Sequence, residues 1–494
     1  MTRENSPRFP STQHSKITRE RRLAWVVVGS VLLGPVAAIV LAFGVAAGGE
    51  EPVITAAGLL GLALGWAVLA IGSAAWSSRP QRWAIAPAAA LAATGVGLLV
   101  LAPDDQALTL AGWAWPPLLL ALTAWTTGRA VRSLRIGVTF WLLSPALALL
   151  LLACVGGGAA TLQTALAAAP PPMPGHLYDV GGHRLHLSCT GTGSPTVVLL
   201  GGLGEDSAAW GLVQPAVAAT TRVCSYDRVG QAWSDSAAGP QDGVRVAADL
   251  HVLLSRAGER GPYVFAGHSV GGTYAMVYAD EHPEDVAGLV LLDSASPHQF
   301  TALPDFPRAY AFLHRAVALL PTLQRLGAGL LLGSGPLADL PPAARAQTEA
   351  FSWTTREIRG ERDEVRAYPA MFEQAQALTG LGSAPLVVVT ATSGAQAGWT
   401  TAQDALARLS RTSGHRLVPA THASLLQDAS DYRYSVAAIQ DVVRVARTHA
   451  RPAGRTAVSP APQRSVSPIV TRALASVERP LERTEDDQRR QRHS

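Results

Sequence analysis

The chain has 494 residues, 48% of them hydrophobic and only 15% charged, with three cysteines and a formal net charge of +4. That length allows two or three folding units, and three cysteines are too few for a disulfide framework. The basic excess comes from the two ends, with six basic against two acidic side chains in residues 1–22 and nine arginines against five acids in residues 449–494, so it describes two tails and does not indicate a nucleic-acid-binding surface.

Residues 1–22 are polar and rich in Arg, Ser, Thr and Pro, and are expected to be disordered. Apolar runs follow at 23–48, 52–76, 83–102, 107–127 and 136–155, each near the roughly 20 residues that a helix needs to cross a bilayer. The first is longer than a signal peptide's apolar core and is followed by further spans, so it is read as a retained helix. The connecting loops alternate in charge: Glu50 and Glu51, then Arg79 and Arg82, then Asp104 and Asp105, then Arg129, Arg132 and Arg135. Arginine in short loops marks the cytoplasmic side, which puts the N-terminus inside and everything after the fifth span outside. No run contains Asp, Glu, Lys, Arg or His, so the expected role of this 23–155 bundle is anchoring and not ion or proton transport.

Residues 156–175 contain Pro170, Pro171, Pro172 and Pro174 and read as a stiff linker. From His176 the texture changes to short strands alternating with amphipathic helices. Strands are expected at 184–190, 196–200, 222–226, 263–267, 288–292, 385–391 and 416–419, with helices at 244–257, 270–281, 401–409 and 434–447. Such alternation of apolar strands and helices implies an α/β domain, over 176–448, with a mostly parallel sheet covered on both faces. The run 294–383 interrupts the alternation with helical, aromatic-rich sequence and is expected to be an inserted lid. Residues 449–494 lack periodicity and are expected to be a disordered basic tail.

Within that domain Gly267-His268-Ser269-Val270-Gly271 sits between an apolar strand and a helix. A serine at such a bend projects its hydroxyl beyond the sheet, and the flanking positions must be small for neighbouring backbone to approach. A serine is a poor nucleophile without a base, and the base needs an acid to orient it. His422, after the last strand, is the candidate base, whereas His415 falls at that strand's start. For the acid two candidates stand, Asp293 at the carboxyl end of 288–292 and, less well placed, Asp404 inside a helix. Two amides must stabilise an oxyanion. Val270, next to the serine, and Leu203, in the turn Gly201-Gly202-Leu203-Gly204, are the candidates. That glycine-rich turn lacks a Gly-Lys-Ser/Thr continuation, which argues against nucleotide binding.

Together the elbow 267–271, the segment Asp227-Arg228-Val229-Gly230-Gln231-Ala232-Trp233-Ser234 and the late His422 resemble the lid-bearing serine hydrolases of the α/β-hydrolase superfamily. The chain departs from that pattern at Gly201, where the family usually has histidine, and at Ala232, where it has glycine. The resemblance implies that the strands of Cys189 and Cys224 are neighbours, so either a bridge or two buried thiols is expected. With the apolar spans, these residues lead to the expectation of a membrane-anchored esterase acting through Ser269, His422 and Asp293. The apolar lid and the anchor suit a small-molecule or lipid-like ester. No ligand cluster at zinc spacing implies a metal or organic cofactor, and the charge distribution implies no nucleic-acid partner. An acyltransferase or aminopeptidase with the same residues, or a non-catalytic membrane sensor, are the alternatives.

Overall fold

The computed structural model describes residues 11–166, 170–237, 239, 241–332 and 339–449, with side chains from residue 21 onward. Five helices among them are long and apolar enough to cross a membrane. These are α1 (Ser11–Ile39, extended by a π-helical turn, Val40–Val45), α2 (Glu51–Trp76), α3 (Ile85–Leu101), α4 (Asp105–Leu134) and α5 (Val138–Leu166). Small residues let α1 and α2 approach closely: a Cβ on Gly61 would lie 2.2 Å from the Ala38 nitrogen, and one on Gly65 would lie 2.8 Å from the Gly34 Cα.

Two boundaries differ from expectation. Helix α1 begins at Ser11, so residues 11–22 are helical where disorder was expected. No proline interrupts residues 11–34 in the sequence, so nothing there breaks the helix before Pro35. Helix α5 runs on to Leu166, past the glycine run where a linker was expected to begin. A Cβ on Gly156 would lie 2.2 Å from the Leu326 carbonyl oxygen, and one on Gly157 would lie 2.5 Å from the Trp115 ring. These glycines are a contact surface, and tertiary packing overrides their low helix propensity. Residues 1–10, 167–169 and 450–494, including the expected basic tail, lie outside the described residues.

An eight-stranded sheet follows, built from β1 (His176–Asp179), β2 (Arg184–Thr190), β3 (Val197–Leu200), β4 (Val223–Tyr226), β5 (Tyr263–His268), β6 (Val286–Leu292), β7 (Leu386–Ala391) and β8 (Ser413–Val418). Their order is β1-β2-β4-β3-β5-β6-β7-β8. The pairs β1/β2 and β2/β4 are antiparallel and the rest are parallel. Helices α6 (Val213–Ala218), α7 (Gly243–Arg256) and α8 (Val270–Glu281) lie between the earlier strands. The helices α9 (Gln299–Ala302), α10 (Phe306–Arg325), α11 (Gly329–Leu332), α12 (Pro342–Phe351) and α13 (Thr355–Ala375) are inserted between β6 and β7. The chain closes with α14 (Trp399–Ala407), α15 (Ser424–Gln427) and α16 (Tyr432–His449).

The period of two along each strand divides the apolar residues between two cores. Val198, Leu200 and Phe265 join one core with Leu250 and Tyr274, while Val197, Leu199 and Val264 join the other with Trp210 and Ile439. Helix α16 presents Ala438, Ile439, Val442, Val443 and Ala446 to the second core. That is one stripe at helical spacing, and each large side chain in it contributes about 1.5–3 kcal/mol of burial.

The β2/β4 register sets Cys189 opposite Cys224, and the two are bonded, with Cα atoms 4.0 Å apart. Of the two expectations for this pair, the bridge is the one present. Mass spectrometry of non-reduced peptides is expected to recover the linked pair, and two alkylatable thiols at these positions would contradict it.

The acidic loop residues of the apolar bundle meet arginines of the insertion. Arg325 pairs with Glu51 and lies 2.6 Å from Asp105, Arg359 is 3.0 Å from Asp105, and Arg362 is 3.0 Å from Glu50. The Thr55 and Thr322 hydroxyls are hydrogen-bonded at 2.8 Å. Glu51 is only 1% exposed, a position at which a carboxylate is tolerated only when paired. The insertion is therefore braced on the loops that precede α2 and α4.

Candidate functional site

Strand β5 ends at His268 and α8 starts at Val270, leaving Ser269 as the single residue of the bend, with φ 55° and ψ −126°. This is a costly backbone conformation for a non-glycine residue, held by its surroundings. Ser269 N–H donates to Leu292 O at 3.1 Å and Ser269 O accepts from Ala295 N–H at 2.9 Å. The flanking glycines are required by contact. A Cβ on Gly267 would lie 2.4 Å from Gly272 Cα, and one on Gly271 would lie 2.1 Å from Leu200 O.

At the end of β6, Asp293 has φ 44° and is 4% exposed. Its Oδ1 accepts from the Ala391 amide at 3.1 Å and from Trp399 Nε1 at 2.6 Å. Those two donors occupy one carboxylate oxygen and leave Oδ2 for His422, whose Nδ1 lies 2.6 Å away. Asp404, the other candidate acid, instead lies 2.6 Å from His415 Nδ1. That pair joins α14 to β8 and forms no part of the cavity lining. The imidazole of His422 is half-exposed.

The turn after β3 approaches from the other side. A Cβ on Gly202 would lie 2.8 Å from Ser269 Cβ, so glycine at 202 permits the loop to reach the serine. Arg228, buried, donates from Nη1 to Gly201 O and from Nη2 to Gly202 O, both at 2.6 Å, and from Nη2 to Glu364 Oε1 at 2.9 Å. Ala232, the departure from the expected glycine, holds φ 34°, and its amide donates to Glu357 at 2.6 Å. The left-handed conformation survives there without glycine because α13 grips the backbone.

Ser269, His422, Asp293, Leu203 and Val270, all five residues singled out in the sequence, line one cavity of about 540 Å³. Phe306 and Ala309 of α10 and Tyr368 and Phe372 of α13 form its apolar side. Sequence reasoning missed Trp399, which orients Asp293, and also Glu205 and His268. Glu205 Oε2 lies 2.8 Å from His268 Nδ1 and accepts from Gly202 N–H at 2.5 Å. Burial pushes the His268 imidazolium down, yet the Glu205 charge and hydrogen bond outweigh this and raise its pKa. Burial likewise lifts Glu205, but the charge and hydrogen bond of His268 and the Gly202 amide hold it below the ordinary carboxylate value. His268 was visible as the second residue of the elbow, but nothing in the sequence identifies its partner.

Carboxyls of α13 meet this edge of the sheet. Glu361 Oε1 comes within 2.6 Å of where a Gly204 Cβ would stand. Burial and the nearby Glu364 push Glu361 from its ordinary 4.5 up to about 7. Burial and the neighbouring Asp227 push Asp206 from 3.8 up to about 7. Both groups bind more protons folded than unfolded between their ordinary values and about pH 7. Their contribution to stability is therefore present at low pH and is lost as pH rises through that window. Glu361→Gln is expected to raise the melting temperature at pH 8 but not at pH 4, flattening the profile in thermal denaturation at a series of pH values.

A family model described as the α/β-hydrolase fold matches residues 195–428. Among curated proteins, the chain is 33% identical over 136 residues to a probable transporter, efuK, of Hormonema carpetanum, covering 26% of this chain and 20% of that protein. It is 36% identical over 116 residues to the 2-hydroxymuconate semialdehyde hydrolase of a Pseudomonas species, covering 23% and 41% respectively. The chain thus spans about a fifth to two fifths of the length of these relatives. Among solved structures it is similar to the enol-lactonase from Burkholderia xenovorans at 20% identity and TM-score 0.40, over 54% of this chain and 100% of that one.

Proposed function

We propose, from the premise that residues 195–428 belong to the α/β-hydrolase fold, that this chain is a membrane-anchored serine hydrolase cleaving carboxylic esters with a hydrophobic portion. In this reading Ser269 Oγ attacks the acyl carbon while His422 takes its proton. Asp293 holds the imidazole in the tautomer that presents Nε2 to the serine and balances the charge that forms. The amides of Leu203 and Val270 stabilise the oxyanion. Collapse of the tetrahedral species expels the alcohol, which receives its proton from His422, and water then attacks the acyl-serine with His422 as base.

The observation that carries this reading is the 2.6 Å contact between His422 and Asp293, made at the mouth of the cavity that Ser269 also lines. The arginine-bearing loops support an orientation with the N-terminus cytoplasmic and the hydrolase domain outside. The insertion α9–α13 acts as the lid, and its aromatic side chains favour an apolar acyl or alkyl group. A fluorophosphonate probe is expected to label the full-length protein in detergent, and hydrolysis of 4-nitrophenyl esters is expected to quicken from acetate to longer acyl chains. No labelling of folded protein would favour a ligand-binding role instead, and a preference for acetyl esters or peptides would remove the hydrophobic-substrate part.

A further inference from the structure

Glu205 and His268 take part in none of the steps above, yet they connect two of the loops those steps depend on. His268 is fully buried and has an acceptor at each ring nitrogen. Nδ1 lies 2.8 Å from Glu205 Oε2, and Nε2 lies 2.9 Å from the carbonyl oxygen of His422. A neutral imidazole carries one N–H and satisfies one such acceptor, whereas the imidazolium donates to both. The Glu205 carboxylate supplies the countercharge, and the same oxygen accepts the Gly202 amide at 2.5 Å. The result is a continuous path: Gly202 amide, Glu205 carboxylate, His268 imidazolium, His422 carbonyl. The His268 and His422 rings also lie 4.4 Å apart between centroids.

We propose that Glu205 and His268 are positioning residues, a buried charged strap that fixes the turn carrying the Leu203 amide relative to the loop carrying the His422 imidazole. Their hydrogen bonds go to the Gly202 amide and the His422 backbone carbonyl and not to the Ser269 hydroxyl or the His422 imidazole, against which the His268 ring only packs. The oxyanion donor and the base come from loops separated by more than two hundred residues of chain, after β3 and after β8, and hydrogen bonding along each strand does not set the distance between the two loop tips. The strap sets it from beneath the serine, at the residue immediately before Ser269. This role rests on the serine-hydrolase reading.

The test uses the full-length protein in detergent, with kcat for 4-nitrophenyl butyrate expressed per serine titrated by fluorophosphonate. Glu205→Gln keeps the shape and an acceptor for the Gly202 amide but removes the countercharge, and His268→Phe removes both donors at similar volume. Each is expected to lower kcat per titrated site by roughly 10- to 100-fold with KM changed by less than about threefold, the scale of a misplaced catalytic group. The double variant is expected to be no worse than the poorer single one, because both changes break one path. A merely structural role would reduce the number of titratable serines and leave kcat per site unchanged. Wild-type values of kcat per site in both variants, within twofold, would overturn the proposal. Should Glu205→Gln fail to accumulate, His268→Gln, which is uncharged and keeps a donor, carries the same comparison. If the wild-type protein neither labels nor turns over ester, the serine-hydrolase reading fails and the strap falls with it. Labelling and turnover by wild type with unaffected variants would overturn the strap alone.

Discussion

Ser269→Ala is expected to abolish fluorophosphonate labelling and to lower kcat/KM for esters by a factor on the order of 10⁴ or more, because no other group takes over a nucleophile's covalent role. The companion substitution, Asp293→Asn, discriminates better between mechanisms. Asp293 Oδ1 already accepts from Ala391 and Trp399, so an asparagine there keeps its carbonyl oxygen on those two donors. Its NH₂ then faces His422 Nδ1. That forces the tautomer with the proton on Nε2 and the lone pair turned away from the serine, and the expected loss is about 10⁴-fold in kcat with folding retained. Asp404→Asn, at the pair with His415, is expected to leave kcat within about twofold. Steady-state kinetics on the three variants checks the assignment, and a larger loss at Asp404 than at Asp293 would reverse it.

The largest expected effect on stability is at Arg228. Its guanidinium is 5% exposed, pairs with the equally buried Glu364 and lies 5.1 Å over the Tyr274 ring. Arg228→Met removes the cation at similar length but leaves the Glu364 carboxylate uncompensated and the Gly201 and Gly202 carbonyls without their donors. Breaking one side of a buried pair costs about 3–5 kcal/mol, and thermal denaturation is expected to shift downward on the order of 10 °C. The double variant Arg228→Met with Glu364→Met removes both charges and is expected to recover much of that loss. If the single variant melted like the wild type, the pair would contribute nothing to holding the turn against α13. Arg228→Met should also slow turnover, because the turn carrying Leu203 loses two of its restraints.

Much of this arrangement was legible because it is local. The elbow needs small residues at fixed offsets from Ser269, and the sequence carries them at Gly267 and Gly271. The candidate base was found from its place after the last strand. Asp293 is favoured over Asp404 because it stands at the carboxyl end of a strand, the edge of a parallel sheet where ligands bind, whereas Asp404 lies inside a helix. The boundaries were harder. Gly156 to Gly158 read as a break because propensity treats glycine alone, whereas Gly156 there meets the backbone of Leu326.

The sequence by itself determined the period-two strands, the apolar runs long enough for a bilayer, and the glycine spacing around Ser269, because each is encoded in side chains close together along the chain. Only the tertiary structure decided which oxygen of Asp293 meets His422, that Cys189 and Cys224 are bonded, that Glu50, Glu51 and Asp105 meet arginines of the insertion, and that Glu205 is the partner of His268. Those pairings join segments from 35 to more than 250 residues apart. A buried charge requires some countercharge within a few ångströms, but which one it finds depends on how the sheet and helices bring distant chain together.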